Sequence, residues 1–326
     1  MARWDRSQPA AIPEWFFEAV ETPSESAVVE VEECDVVWRA WDAPANKRGA
    51  GNTPESDLSD ERGVSRQRNA NAPAARARGL LLIHGMNAHS RWWDFIAPAL
   101  TDDYRVVAMD LTGMGDSDYR YEYDSATYAK EIVAVCDAAG LGTDVIVVGH
   151  SFGGNMATKA ANLHPGRFGA LILADSGLRH PDEPRPEMPS MGGRAKAYPD
   201  KRTALARFRL QPPQPCANAY ILEHIARHSL MPIDGGGWAW KFDADLPNAL
   251  KDAERQPEDY ANLRLPVGLI YGAESKLFSE RTRRHMQSLI PGDVPAVAIP
   301  DAQHHLFLDQ PLAFIEALRK MCREMG

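Results

Sequence analysis

The chain of 326 residues holds 45 acidic and 36 basic side chains, a formal charge of −9, and is 44% hydrophobic and 25% charged. This is ordinary globular composition and excludes a mainly disordered or fibrous chain. Phosphate affinity rests on basic patches, so nucleic acid is not an expected partner. No run of about 18 apolar residues suggests a membrane span, and no membrane partner is expected. The opening residues Met1–Arg6 carry no apolar stretch, so no secretory signal is expected. Cys34, Cys136, Cys216 and Cys322 are too dispersed for a disulfide framework or a CxxC metal site. A reducing cytoplasm is the simplest compartment.

Residues 27–31 and 36–41 alternate as two strands, and the polar Glu33, Cys34 and Asp35 between them suit a hairpin. Residues 43–78 are rich in Ala, Asn, Arg, Gly, Pro and Ser and almost lack large apolar side chains. Such a segment cannot bury enough surface to offset its ordering entropy and reads as a disordered loop. Leu80–Ile83 then forms a short apolar strand. Ser90 can cap a helix with Trp92, Ile96 and Leu100 on one face. Residues 104–109 form another strand. Ser125 can cap a helix carrying Tyr128, Ile132, Val135 and Ala139, closed by Gly140. Further apolar strands follow at 145–148, 170–173, 267–271 and 297–299, with a small-residue helix at 157–163 stopped by Pro165. Strands without polar alternation are buried on both faces, which predicts an α/β fold: a doubly wound, mostly parallel sheet covered by helices on both sides. The beat breaks between Leu178 and Leu265, where Pro-rich turns and helical stretches at 203–210 and 217–230 predict a mostly helical insertion.

Gly149-His150-Ser151-Phe152-Gly153 is a G-x-S-x-G turn between the strand at 145–148 and the helix that follows. A strand-to-helix turn this tight strains the serine backbone, and small residues at ±2 avoid clashes. The hydroxyl then stands at a helix N-terminus, where backbone N–H groups can receive an anion. No histidine pair at i, i+4 spacing with a third ligand is apparent, so no metal is expected.

Four stretches, in this order and spacing, carry a resemblance to the α/β-hydrolase fold superfamily: Leu82–Met86, Met109–Ser117, Gly149–Gly154 and Asp301–His305. It spans most of 27–320, apart from the 43–78 loop and the insertion. The resemblance implies a hydrolase core over 1–177 and 265–326, with a helical cap at 178–264. It implies Ser151 as nucleophile and His304 as general base, with His305 packing locally and His150 facing into the fold. The Met86 and Phe152 N–H groups would form the oxyanion hole. The family usually places its acid in the loop after the strand at 267–271. Here that loop reads Gly272-Ala273-Glu274-Ser275-Lys276, and Glu274 is its only carboxylate. The other position seen in the superfamily is the end of the preceding strand, which here holds Asp175. Asp175 and Glu274 stay open as alternatives, since geometry decides which carboxylate orients the histidine. Trp238, Trp240, Phe242, Phe208 and Tyr220 either line an apolar pocket or form the cap's own core.

The expected activity is hydrolysis of an ester or related acyl bond in a small, largely apolar molecule, through an acyl-enzyme and without a cofactor. C–C bond hydrolysis, lactonase or perhydrolase chemistry, or a non-catalytic receptor on the same fold, are the alternatives. The sequence does not specify an oligomeric state.

Overall fold

The computed structural model describes residues 12–42, 77–184, 197–252 and 254–325. The disorder expected for 43–78 falls almost wholly outside them; its last residue, Arg78, already opens a strand.

A short helix the sequence reading did not anticipate, α1 (Glu14–Glu21), comes first, and its Phe16 is buried. Strands β1 (Glu25–Val31) and β2 (Cys34–Trp41) form the expected hairpin. Its turn is the two-residue pair Glu32-Glu33, with φ of 49° and 62°, so Cys34 already pairs with Val31. Two positive φ values in sequence give the turn a twist that matches the strands. β3 (Arg78–Ile83) and β4 (Tyr104–Met109) follow. Between them the single helix expected from Ser90 is replaced by two 3-10 turns, Ser90–Trp93 and Ala97–Leu100. Pro98 lacks the N–H that a continuous helix needs there.

Next come α2 (Ser125–Ala138), β5 (Ile146–His150), α3 (Phe152–Leu163) and β6 (Ala170–Ala174). The cap of α2 is Asp124 rather than Ser125, its carboxylate accepting the Thr127 N–H at 2.7 Å. The insertion holds α4 (Lys201–Leu205), α5 (Ala219–His228), a hairpin of β7 (Leu230–Pro232) and β8 (Trp238–Trp240), α6 (Leu246–Ala249) and α7 (Pro257–Ala261). The hairpin was not expected from the sequence, and α4 is shorter than the helix anticipated at 203–210. The chain closes with β9 (Val267–Gly272), α8 (Glu280–Leu289), β10 (Ala296–Ile299), α9 (Leu306–Asp309) and α10 (Pro311–Glu324).

Eight strands form one sheet in the order β1-β2-β4-β3-β5-β6-β9-β10. The pairings from β4 to β10 are parallel; only β1–β2 and β2–β4 are antiparallel. Side chains alternate across a strand, so each central strand feeds two cores. Leu81, Ile83, Val145 and Val147 join α2 and α3 on one face. Leu80, Leu82, Ile146 and Val148 join α1 and α10 on the other. This double burial is why these strands read as unbroken apolar runs. β6 and β9 are direct neighbours, so everything between them is an insertion over the carboxyl end of the sheet. Among the described residues, no helix is long and apolar enough to cross a membrane.

Candidate active site

Ser151 occupies the turn between β5 and α3 with φ 51° and ψ −112°. A non-glycine residue there costs on the order of 1–3 kcal/mol and persists only where the surroundings impose it. Glycines make the turn possible by close approach. A Cβ on Gly149 would lie 2.5 Å from the Gly154 Cα, and one on Gly153 would lie 2.4 Å from the His84 carbonyl oxygen. The Ser176 hydroxyl donates to the Ser151 carbonyl at 2.6 Å and pins the turn from β6.

The chain after β10 delivers His304. Its Nε2 lies 3.0 Å from Ser151 Oγ and its Nδ1 lies 2.7 Å from Asp175 Oδ1. A carboxylate can only accept, so Nδ1 carries the proton and Nε2 faces the hydroxyl as acceptor. Asp175 follows β6 directly, with a fully buried side chain and φ 44°. Its Oδ2 accepts the Gly272 N–H at 3.0 Å, and its Oδ1 also accepts the Ser275 hydroxyl at 2.8 Å. Of the two candidate carboxylates, the structure brings Asp175 to His304. Glu274 does not reach it: its side chain is exposed and its backbone N–H is tied to the Ala302 carbonyl. Ser275, adjacent to Glu274 in the loop where an acid was sought, donates to the carboxylate arriving from β6.

Asp309 steadies the His304 loop. Its Oδ2 accepts the Gln303 N–H and the Gln214 amide, each at 2.8 Å. Burial pushes the Asp309 carboxyl up to about 6, and the nearby Glu274 charge adds to the push. His150 is buried and its Nε2 lies 3.0 Å from the His304 carbonyl, an N–H donor on the residue it supports. Burial, with repulsion from His304 second, drives the His150 imidazole well below its usual range. His305 is lowered likewise, by burial first and then by His304 and His150. Both neighbours of His304 are therefore neutral near pH 7.

A cavity of about 270 Å³ opens over Ser151. Met86 and Phe152, whose N–H groups are the expected oxyanion donors, both border it. Phe152 is the first residue of α3, and such an N–H has no acceptor within the helix. His84 fixes the neighbouring loop: its Nδ1 lies 2.7 Å from the Gly85 carbonyl, and its Nε2 accepts the Leu111 N–H at 3.1 Å. His305 also lines the cavity rather than only packing locally.

The insertion contributes Gln211, Pro212, Leu250 and Arg255 to the walls. Trp238 and Trp240 are not among them, which corrects the expected pocket. They belong to the β7–β8 hairpin, where the Trp240 indole contacts Tyr198 and Phe208. Sequence reasoning missed Ser275, Ser176, Gln211 and Arg255. Only Ser275 had a signal, its place in the acid loop.

Among the described residues, two groups place three possible metal-ligand atoms within 4.8 Å of one another. One is His150, His304 and His305, where both His304 nitrogens are already engaged by Ser151 and Asp175. The other is Asp94, His224 and His228, which corrects the expectation that no i, i+4 histidine pair has a third partner. His224 and His228 share α5, and the third residue comes from a loop 130 positions away. Arg91 and Arg39, at 3.4 Å and 3.8 Å, already face the Asp94 carboxylate.

Residues 80–317 match the model of the alpha/beta hydrolase family. The chain is 27% identical over 271 residues to a pimeloyl-[acyl-carrier protein] methyl ester esterase of Neisseria meningitidis serogroup B, covering 78% of this chain and 97% of that one. It is 25% identical over 249 residues to an esterase of Mycobacterium tuberculosis, covering 74% and 81%. Among solved structures, a thioesterase domain from the curacin biosynthetic pathway superposes with a TM-score of 0.67 at 22% identity, over 91% of this chain and 99% of that one. A match across most of the chain, on an eight-stranded sheet of this topology, shows that the protein belongs to the α/β hydrolase family and is a hydrolase.

Proposed function

We propose that this hydrolase cleaves an ester or related acyl bond of a small molecule through a covalent acyl-enzyme. One observation carries the reading: a continuous Ser151–His304–Asp175 relay at 3.0 Å and 2.7 Å. Ser151 Oγ attacks the substrate carbonyl while its proton passes to His304 Nε2. The developing oxyanion lies against the Met86 and Phe152 N–H groups, each such donor contributing about 3–4 kcal/mol in comparable sites. His304 returns the proton to the leaving alkoxide. Water then attacks the acyl-enzyme, gives a proton to His304, and releases the carboxylic acid with Ser151 restored. Asp175 holds the Nδ1–H tautomer and stabilises the imidazolium. The esterase relatives point to the same class of bond.

A fluorophosphonate probe tests the nucleophile and 4-nitrophenyl esters test the bond. Labelling confined to Ser151, together with ester turnover, is the expected result. A folded protein that neither labels nor turns over any ester refutes the reading.

A further inference from the structure

We propose that the active-site cavity selects substrates bearing an ionised carboxylate close to the scissile carbonyl, and that Arg255 receives it. The proposal rests on the ester-hydrolase reading and names its substrate class.

Among the described residues, the cavity walls include no aspartate or glutamate, and Arg255 is their only permanently charged side chain. Two histidines that share the cavity, His150 and His305, are held neutral by burial. Much of the remaining wall is apolar, from Met86, Trp92, Phe152, Leu250 and Leu277. Two other shielded cations have carboxylate partners, Lys159 meeting Asp259 at 2.8 Å and Arg120 meeting Glu131 at 3.1 Å, whereas half-buried Arg319 donates to the Ala99 carbonyl. Among the described residues, no carboxylate forms an ion pair with Arg255. Its Nη2 donates a long hydrogen bond to the Ser151 carbonyl at 3.3 Å, the side chain also faces the Tyr260 hydroxyl, and its Nε is buried without an acceptor. Arg255 is half-buried, and its guanidinium fork matches a carboxylate with two parallel bonds. One cation balances one negative charge, which favours a carboxylate over a phosphate. The contact with Ser151's own carbonyl puts the fork beside the nucleophile, so the carboxylate must lie a short chain away from the bond cleaved.

The test compares 4-nitrophenyl hydrogen glutarate and adipate with the uncharged 4-nitrophenyl valerate and hexanoate, in the full-length chain and in Arg255→Gln and Arg255→Lys. Glutarate binding is measured by calorimetry alongside. The charged esters are expected to show kcat/KM about 10- to 100-fold above their neutral counterparts, the range for a charge-assisted pair in a shielded site. Arg255→Gln should collapse that ratio to about one and abolish glutarate binding, and Arg255→Lys should keep part of both. A wild-type ratio near one, or a ratio unchanged in Arg255→Gln, overturns the proposal. So does an equal loss on charged and neutral esters, which would make Arg255 only a brace for Ser151. Glutarate binding that depends on Arg255 without turnover of any ester would support the anion site and fault the esterase reading alone.

Discussion

The relay and the wall facing it are built under different constraints. Ser151 and Asp175 stand at the carboxyl ends of adjacent strands β5 and β6, whose register is fixed by continuous parallel pairing. Those strands are buried on both faces, so a one-residue slip would turn each core side chain to the wrong side. Gln211, Pro212, Leu250 and Arg255 come instead from an insertion whose strands, among the described residues, are three residues long and whose longest helix has ten. Elements that short are held by tertiary contacts rather than by their own hydrogen bonds. One example joins the two regions: His89 of the core places its Nε2 2.8 Å from the Ser229 hydroxyl. The difference separates what the two regions supply. The sheet gives the chemistry a rigid geometry, and the insertion gives the cavity its charge and shape.

The sharpest way to break the comparison is Ser151→Ala. Turnover should fall by about four orders of magnitude or more, with unfolding behaviour close to wild type, because the change removes only the hydroxyl. Steady-state kinetics and thermal unfolding on one preparation check both halves. Asp175→Asn should cost about 10²–10⁴ in kcat, since the amide favours the wrong imidazole tautomer and cannot stabilise imidazolium. Glu274→Gln should stay near wild type because its side chain is exposed. The reverse ranking of these two variants would move the acid to the loop after β9.

Two glycines sharpen the contrast through stability. On Gly149 a Cβ would lie 2.5 Å from the Gly154 Cα, backbone that cannot yield, so Gly149→Ala should cost about 3 kcal/mol or more. Gly235 in the insertion has φ +81° with nothing within 4 Å, so Gly235→Ala should cost only about 1 kcal/mol of conformational strain. Equal losses in denaturant titration would mean that the two regions are equally constrained.

The last effect is a pH dependence. Burial, followed by the charges of His84 and Lys241, holds the His89 imidazole well below its usual range. The folded chain thus binds fewer protons at His89 than the unfolded chain does. The stability this group contributes is complete above the unfolded value near 6.5 and is lost as pH falls below it, by at most about 1.4 kcal/mol per pH unit. His89→Gln should therefore flatten the acid limb of the stability profile. An unchanged slope between pH 6.5 and 5 would contradict this.

The sequence by itself determined the parallel sheet, the strained serine turn and the position of the histidine. The sheet and the turn rest on short-range physics, apolar runs for strands buried on both faces and glycines around one residue, while His304 was legible only through the family resemblance of Asp301–His305. The two 3-10 turns before β4 escaped because Trp92, Ile96 and Leu100 keep a helical spacing across the break that Pro98 imposes. Only the tertiary structure decided between Asp175 and Glu274. That choice follows from β6 lying beside β9, which aims the Gly272 N–H and the Ser275 hydroxyl at Asp175, while Glu274 turns to solvent. It likewise decided that Trp240 packs against Tyr198 and Phe208 of the insertion and that Arg255 reaches the cavity, 104 positions from the serine whose carbonyl it touches. No local pattern encodes such encounters, because they depend on how distant segments close over the sheet rather than on the preferences of any one of them.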